Sequence, residues 1–194
     1  SKESNSHILG LIMKNALLQN ALNDINNFIL LQRGDFVKAF LDTDPSIVKL
    51  MANAMMGEIA NRDVENIKYD EKEMPSGTFR YDAKSPLSSI FGPNELRAYK
   101  VVSSFLLRLK RTEYTLSNSK FNLRSAQLLA FEMQAFIRLV GDYFNFHIIK
   151  KSYESFNKSF SEKEISFDEL LKSHTYAQML KSGLVCHLLP AACE

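Results

Sequence analysis

The sequence predicts a mainly all-α fold: an elongated bundle of long helices, with a short β-hairpin or loop near 62–86. Two observations carry this. Apolar residues recur at helical spacing over long stretches. The 194 residues include only seven Gly and five Pro, too few for a turn-rich β architecture. With 45% hydrophobic and 24% charged residues, the composition suits a globular domain with a sizeable core.

The first element is a long helix over 7–33, with Leu11, Leu18, Leu22, Ile25 and Ile29 on one face and Asn15, Gln19, Asn23 and Asn26 on the other. Gly34 is placed to stop it, and Asp35 to cap a short helix over Phe36–Leu41. Asp44-Pro45 restarts the chain, with Asp at the N-cap and Pro at the first helical position. The helix that follows runs to about Asn61 and carries Ile47, Val48, Met51, Met55 and Ile59. Residues 62–86 break the periodicity. Asn66–Asp70 and Thr78–Asp82 flank the turn signal Pro75-Ser76-Gly77, as a small hairpin or an exposed loop.

Gly92-Pro93, with Glu95, opens a helix that runs to about Leu116. Tyr99, Val102, Leu106 and Leu109 form its apolar stripe, which Val101, Phe105 and Leu107 widen. A helix apolar over so much of its circumference belongs at the centre of a bundle. Asn118–Phe160 reads as a second long helix, interrupted near Gly141, with Leu123, Ala130, Met133, Ile137, Val140, Phe144 and Ile148 facing inward. A polar loop, Ser161–Glu164, precedes a last helix opened by the capping box Ser166-x-x-Glu169 and closed near Gly183.

Several function classes are excluded or weakened. A net charge of +2 and a pI near 8.4 do not argue for nucleic acid. The two cysteines, Cys186 and Cys193, make no disulfide framework and suit a reducing compartment. His187 has no second ligand pair with which to complete a zinc site. The polar start, Ser1 to Asn5, lacks a signal-peptide core, and no apolar run approaches the ~20 residues of a membrane span. The chain reads as a segment of something larger. It has no glycine-rich phosphate loop, no G-x-S-x-G, no H-E-x-x-H and no paired carboxylates, so neither an enzyme nor a cofactor is expected. Arg33-Gly34-Asp35 spells a cell-adhesion tripeptide but reads as a helix stop followed by a cap. The seven Met read as core filler.

One chemical feature is sharper. Arg97, Lys100, Arg108 and Arg111, with Ser104 between them, are spaced by threes and fours along one helix face. Such a stripe is either a solvated face or a patch for an acidic partner. A nucleic-acid backbone would suit the same charges, but the helix's aromatic residues lie on its apolar side, which speaks against single-strand stacking.

Two blocks carry a family resemblance: Phe28-Ile-Leu-Leu-Gln-Arg-Gly-Asp-Phe-Val-Lys-Ala-Phe-Leu-Asp42, and the stretch from Ser85-Pro-Leu-Ser-Ser-Ile-Phe-Gly-Pro through Phe105-Leu-Leu-Arg-Leu-Lys-Arg111 to Leu116. Their content and order resemble the gamma-tubulin complex components. Arg124 to Phe160 and Phe167-Asp-Glu-Leu-Leu-Lys-Ser-His174 are similar to later family helices, so the likeness runs from Leu18 to Leu184. Unlike many members, the chain has no Trp, and Ala83-Lys84 stands where one often precedes the Pro-Leu block.

The resemblance implies a single helical domain over 1–194, an incomplete C-terminal gamma-tubulin-binding domain of a larger protein. Its partners would be gamma-tubulin and other gamma-tubulin complex components set side by side. Its place would be the cytoplasm and cytoskeleton, at a microtubule-organising centre such as a centrosome or spindle pole. The implied activity is templated microtubule nucleation, with no bond made, and any GTP would belong to gamma-tubulin. Binding is assigned to Arg97, Lys100, Arg108 and Arg111, with Arg33 and Asp35 secondary. Rival readings are a helical scaffold or adaptor without direct tubulin contact and a basic helical nucleic-acid-binding module. Regulation of a small GTPase has only the presence of Arg residues behind it.

Overall fold

A computed structural model describes residues 16–72, 77–85, 87–89 and 91–154. The predicted start of the first helix, the loop at 161–164, the capping box at Ser166, the final helix, and Cys186, His187 and Cys193 lie outside the described residues.

Residues 16–24 are α-helical and widen into a π-helical turn, Ile25–Ile29; together they are called α1. Leu18, Leu22, Ile25 and Ile29 are buried, as their spacing predicts, and Phe28 is buried with them. The stop, however, is not Gly34. The chain turns at Leu31, whose φ of 54° is left-handed, and Gly34 instead begins α2, Gly34–Asp42. A leucine tolerates this strained backbone because its side chain is buried against the body of the protein. Asp35 is likewise not the N-cap. Arg33 holds that position, and Asp35 sits within the first turn, where its Oδ1 accepts the Phe36 N–H at 2.9 Å. A carboxylate there still complements the positive end of the helix.

Asp44 is not the N-cap of the next helix, nor Pro45 its first residue. Residues 45–47 form a turn and the helix begins at Val48, with Ile47 at the N-cap, although Asp44 still organises that turn. Its carboxylate accepts both the N–H and the hydroxyl of Ser46, at 2.8 and 2.6 Å, and its carbonyl accepts the Val48 N–H at 3.0 Å. Helix α3, Val48–Ala60, ends at Asn61, whose φ of 51° supplies the left-handed cap. The face it buries carries Val48, Ala52 and Met56; of the apolar residues named for this stretch, Ile47 and Met51 are exposed.

The ambiguous stretch after α3 is a hairpin. Strands β1, Ile67–Asp70, and β2, Thr78–Tyr81, pair antiparallel with Ile67 opposite Tyr81 and Tyr69 opposite Phe79. Gly77 has φ 70°, and a Cβ there would run into the Tyr69 ring, so the turn requires glycine. A short 3-10 turn, Leu87–Ser89, leads into α4, Pro93–Asn118, with Pro93 in the first helical turn. Tyr99, Val102, Leu106 and Leu107 of α4 are buried, and the helix is central to the fold.

The chain does not continue as one helix from 118. Residues 119–123 break it, and α5, Arg124–Asp142, folds back on α4. Ser117, Asn118 and Ser119 are poor helix formers, and the Ser119 hydroxyl bonds back to the Thr115 carbonyl at 2.6 Å. The Gln127 amide then closes the turn onto the Phe121 carbonyl at 2.8 Å. The interruption expected near Gly141 is a change of pitch: Tyr143–Lys150 are π-helical, and the helix runs on through residue 154. Ala130, Phe144 and Ile148 face inward as predicted, whereas Leu123 and Met133 are exposed.

The core is one apolar cluster rich in aromatic rings. Phe28 meets Phe36 edge-on at 5.1 Å, Phe40 and Phe79 are 5.1 Å apart, and Phe105 of α4 contacts Phe144 at 4.7 Å. The hairpin docks on α4 through polar atoms as well. The Thr78 hydroxyl donates to the Lys100 carbonyl at 2.9 Å, and the buried Ser103 hydroxyl accepts the Phe79 N–H at 3.1 Å. The architecture is therefore mainly α, with one two-stranded sheet among the described residues.

Candidate binding surface

Helix α4 has two opposed faces. The face carrying Tyr99, Val102 and Leu106 is buried. At roughly 100° per residue, the Arg97/Lys100/Arg108/Arg111 stripe lies on the other side, centred about 150° away. The core thus holds the helix rigidly and turns the stripe outward.

The four cations are not equivalent. Arg97 and Arg108 are exposed; Lys100 is half-buried beside the hairpin. Arg111 is half-buried too, and its Nη2 donates to the Tyr69 hydroxyl at 2.7 Å while the guanidinium lies 5.8 Å from the centre of the Phe40 ring. Burial pushes the Tyr69 hydroxyl above its ordinary pKa, and the Arg111 charge opposes that shift. Arg111 therefore ties α4 to the hairpin and α2, whereas Arg97 and Arg108 face solvent.

Arg33 and Asp35 are placed elsewhere. They pair with each other, Nη2 to Oδ2 at 2.6 Å, on the surface at the start of α2. That bond, with the Phe36 N–H, pulls the Asp35 carboxyl down to about 2. The neighbouring Gln32 and Gly34 line a groove of about 580 Å³ between α2 and the distal half of α4, also lined by Lys38, Asp42, Lys110 and Tyr114. A smaller hollow of about 180 Å³ continues toward α5, with Leu31, Lys110, Glu113 and Asn145 common to both. The groove's α4 residues are centred roughly 110° round the helix from the stripe, so the structure does not bring all six predicted residues onto one surface.

Glu113 organises that groove. It accepts from Lys110 at 3.2 Å and from Arg138 of α5 at 2.9 Å. Burial raises its carboxyl, but the bonds to Arg138 and Lys110 outweigh burial and hold it below the ordinary range. Gln32 bridges the strained turn to the π-helical continuation of α5, donating to the Leu30 carbonyl at 2.8 Å and to Asn145 Oδ1 at 3.0 Å. No sequence signal marks the groove, because a leucine with left-handed backbone has none.

The sequence reading also missed a buried charge. Asp24 of α1 pairs with Arg62, the residue after the cap of α3. Burial raises the Asp24 carboxyl and Arg62 partly counters it. Nearby, burial pushes the Tyr81 hydroxyl up to about 12. This is a structural clasp between a buried carboxylate and an arginine at the surface. Among the described residues no group of three His, Cys, Asp or Glu is arranged to hold a metal ion, and no helix is long and apolar enough to cross a membrane. The exposed surface offers charge and shape for non-covalent contact.

Comparison with known proteins gives these surfaces a context. Residues 51–189 match the family described as Gamma tubulin complex component C-terminal. The chain is 26% identical to "Gamma-tubulin complex component 3" of Arabidopsis thaliana, the match covering 90% of this chain and 26% of that protein. It is 21% identical to "Spindle pole body component 98" of Dictyostelium discoideum, over 90% of this chain and 26% of the relative. A "Gamma-tubulin complex component 3 homolog" of Xenopus laevis is 24% identical, over 89% and 23%. The chain thus spans about a quarter of the length of these relatives.

Proposed function

Because this chain belongs to the gamma-tubulin complex component C-terminal family, we propose that it binds gamma-tubulin through the outward face of α4. Arg97 and Arg108 are the principal contacts in this reading, and Lys100 lies at the edge. Arg111 contributes by fixing the hairpin beside them, and Arg33 with Asp35 forms a secondary contact on another face.

The carrying observation is the placement of Arg97 and Arg108 on the solvent side of a helix whose other side is the centre of the core. A face held in this way contacts a partner with little ordering cost, which favours specific binding. Cations exposed at an interface rim speed association with an acidic partner and make it salt-dependent.

In the whole protein the role is templating. Each subunit places one gamma-tubulin beside the next, raising its effective concentration for microtubule nucleation without covalent chemistry. The relative named as a spindle pole body component supports a site of action at a microtubule-organising centre.

The test is binding of purified gamma-tubulin to the chain, wild type and with Arg97→Glu and Arg108→Glu combined, circular dichroism confirming the fold. At least a tenfold loss of affinity in the folded variant is expected. Equal affinity would remove α4 from the interface, and absence of wild-type binding would overturn the proposal.

A further inference from the structure

Arg97 and Arg108 stand at the two ends of one uncharged strip of α4. Their separation along the helix is ~16.5 Å, or about three whole turns, so both side chains project on the same side. Both are exposed, and among the described residues neither has a hydrogen-bond or ion-pair partner. Arg111 differs, being committed to Tyr69. Residues 97–108 contain no Asp or Glu. Val101 and Ser104, both half-buried, lie within about 30° of the line that joins the two arginines, one on each side of it. The strip is therefore short-chained and uncharged in the middle and cationic at both ends.

We propose that this strip seats an α-helix of the partner, lying along α4 with a carboxylate at each end of the contact. The inference deepens, and rests on, the reading that the outward face of α4 binds gamma-tubulin. The chemistry at the ends follows from charge. An unpaired guanidinium presents a planar, two-pronged donor that a carboxylate matches.

The secondary structure of the occupant follows from spacing. On a partner helix, about three turns likewise span ~16.5 Å and return a side chain to the same face, so one carboxylate meets each arginine. On a strand the same length takes about five residues, and side chains five apart point to opposite faces. The middle of the strip fits a helix as well. Packed helices have axes roughly 8–10 Å apart, set by the side chains at the contact, and Val101 with Ser104 permits that approach. A crossing angle of about 20° displaces each end of the contact by only ~3 Å, within reach of an arginine. The result is an apolar centre with a charged rim.

The experiment measures the affinity of purified gamma-tubulin for the chain and two variants, with circular dichroism as the check on folding. Ser104→Arg adds a cation to the strip and bulk to its centre. A face that acts by charge alone would bind an acidic partner more tightly, whereas the seated helix is pushed off, and at least a tenfold loss of affinity is expected. Arg108→Ser combined with Thr115→Arg keeps the net charge and moves one cation along the same exposed face, from ~16.5 to ~27 Å from Arg97. It is expected to bind as weakly as Arg108→Ser alone. Both of its positions are exposed, so it decides the matter even where Ser104→Arg disturbs the fold. Wild-type affinity in either folded variant overturns the seated helix and leaves the gamma-tubulin reading standing. Absence of binding by the wild-type chain overturns that reading and this one together.

Discussion

Arg111 of α4 reaches the hydroxyl of Tyr69 on β1, 2.7 Å away, and its guanidinium also faces the Phe40 ring of α2. One side chain thereby joins three elements. Its neighbour in the same stripe, Arg108, is exposed.

The two arginines should therefore separate stability from binding. A charged hydrogen bond of this kind contributes roughly 1.5 to 3 kcal/mol, less for a half-exposed donor. Arg111→Ala is expected to lower unfolding free energy by about 1 to 2 kcal/mol, and Arg108→Ala by less than ~0.5 kcal/mol. Urea unfolding of the two variants measures both. Tyr69→Phe combined with Arg111→Ala should cost less than the sum of the single changes.

The Asp24–Arg62 pair makes stability depend on pH once it is broken. Arg62→Ala leaves a buried carboxylate without its counter-charge, at a cost of roughly 2 to 4 kcal/mol near pH 7. Burial already raises the Asp24 carboxyl above 3.8, and loss of Arg62 raises it further. The folded state then binds the proton more tightly than the unfolded chain, so the deficit shrinks as pH falls through the raised pKa. Unfolding curves from pH 7 down to the ordinary carboxylate range should bring variant and wild type closer. A deficit that is constant with pH would place its origin in lost packing.

Leu31 should invert a familiar ranking. At most buried positions Ala is tolerated better than Gly, because Gly costs more chain entropy. Here the backbone is left-handed, with φ 54°, and a Cβ is penalised by about 1 kcal/mol. Leu31→Ala loses the buried side chain and keeps the strain, a cost of roughly 2 to 4 kcal/mol. Leu31→Gly loses the same contacts and relieves the strain, so its melting temperature should equal or exceed that of the alanine variant. An alanine variant clearly more stable than the glycine one would mean that the turn relaxes to another conformation.

The sequence by itself determined the helical class, the central place of the helix expected to run to about Leu116, and its start signal at Gly92-Pro93. These are local matters of apolar period and backbone satisfaction, and they need no distant partner. The likeness of the Arg33-Gly34-Asp35-Phe36 and Pro-Leu…Phe-Gly-Pro blocks also pointed to the family.

Only the tertiary structure decided the rest. The turn falls on Leu31 and not Gly34 because burial of the leucine side chain outweighs backbone preference. Strands β1 and β2 pair here because Ser103 and the Lys100 carbonyl of α4 supply partners to β2 that no local pattern records. Arg111 became structural, and Arg97 and Arg108 stayed exposed, because the hairpin covers one edge of the stripe. Helical spacing places residues on a face; what that face meets depends on elements tens of residues away, and that contact decides whether a charge is a clasp or a contact surface.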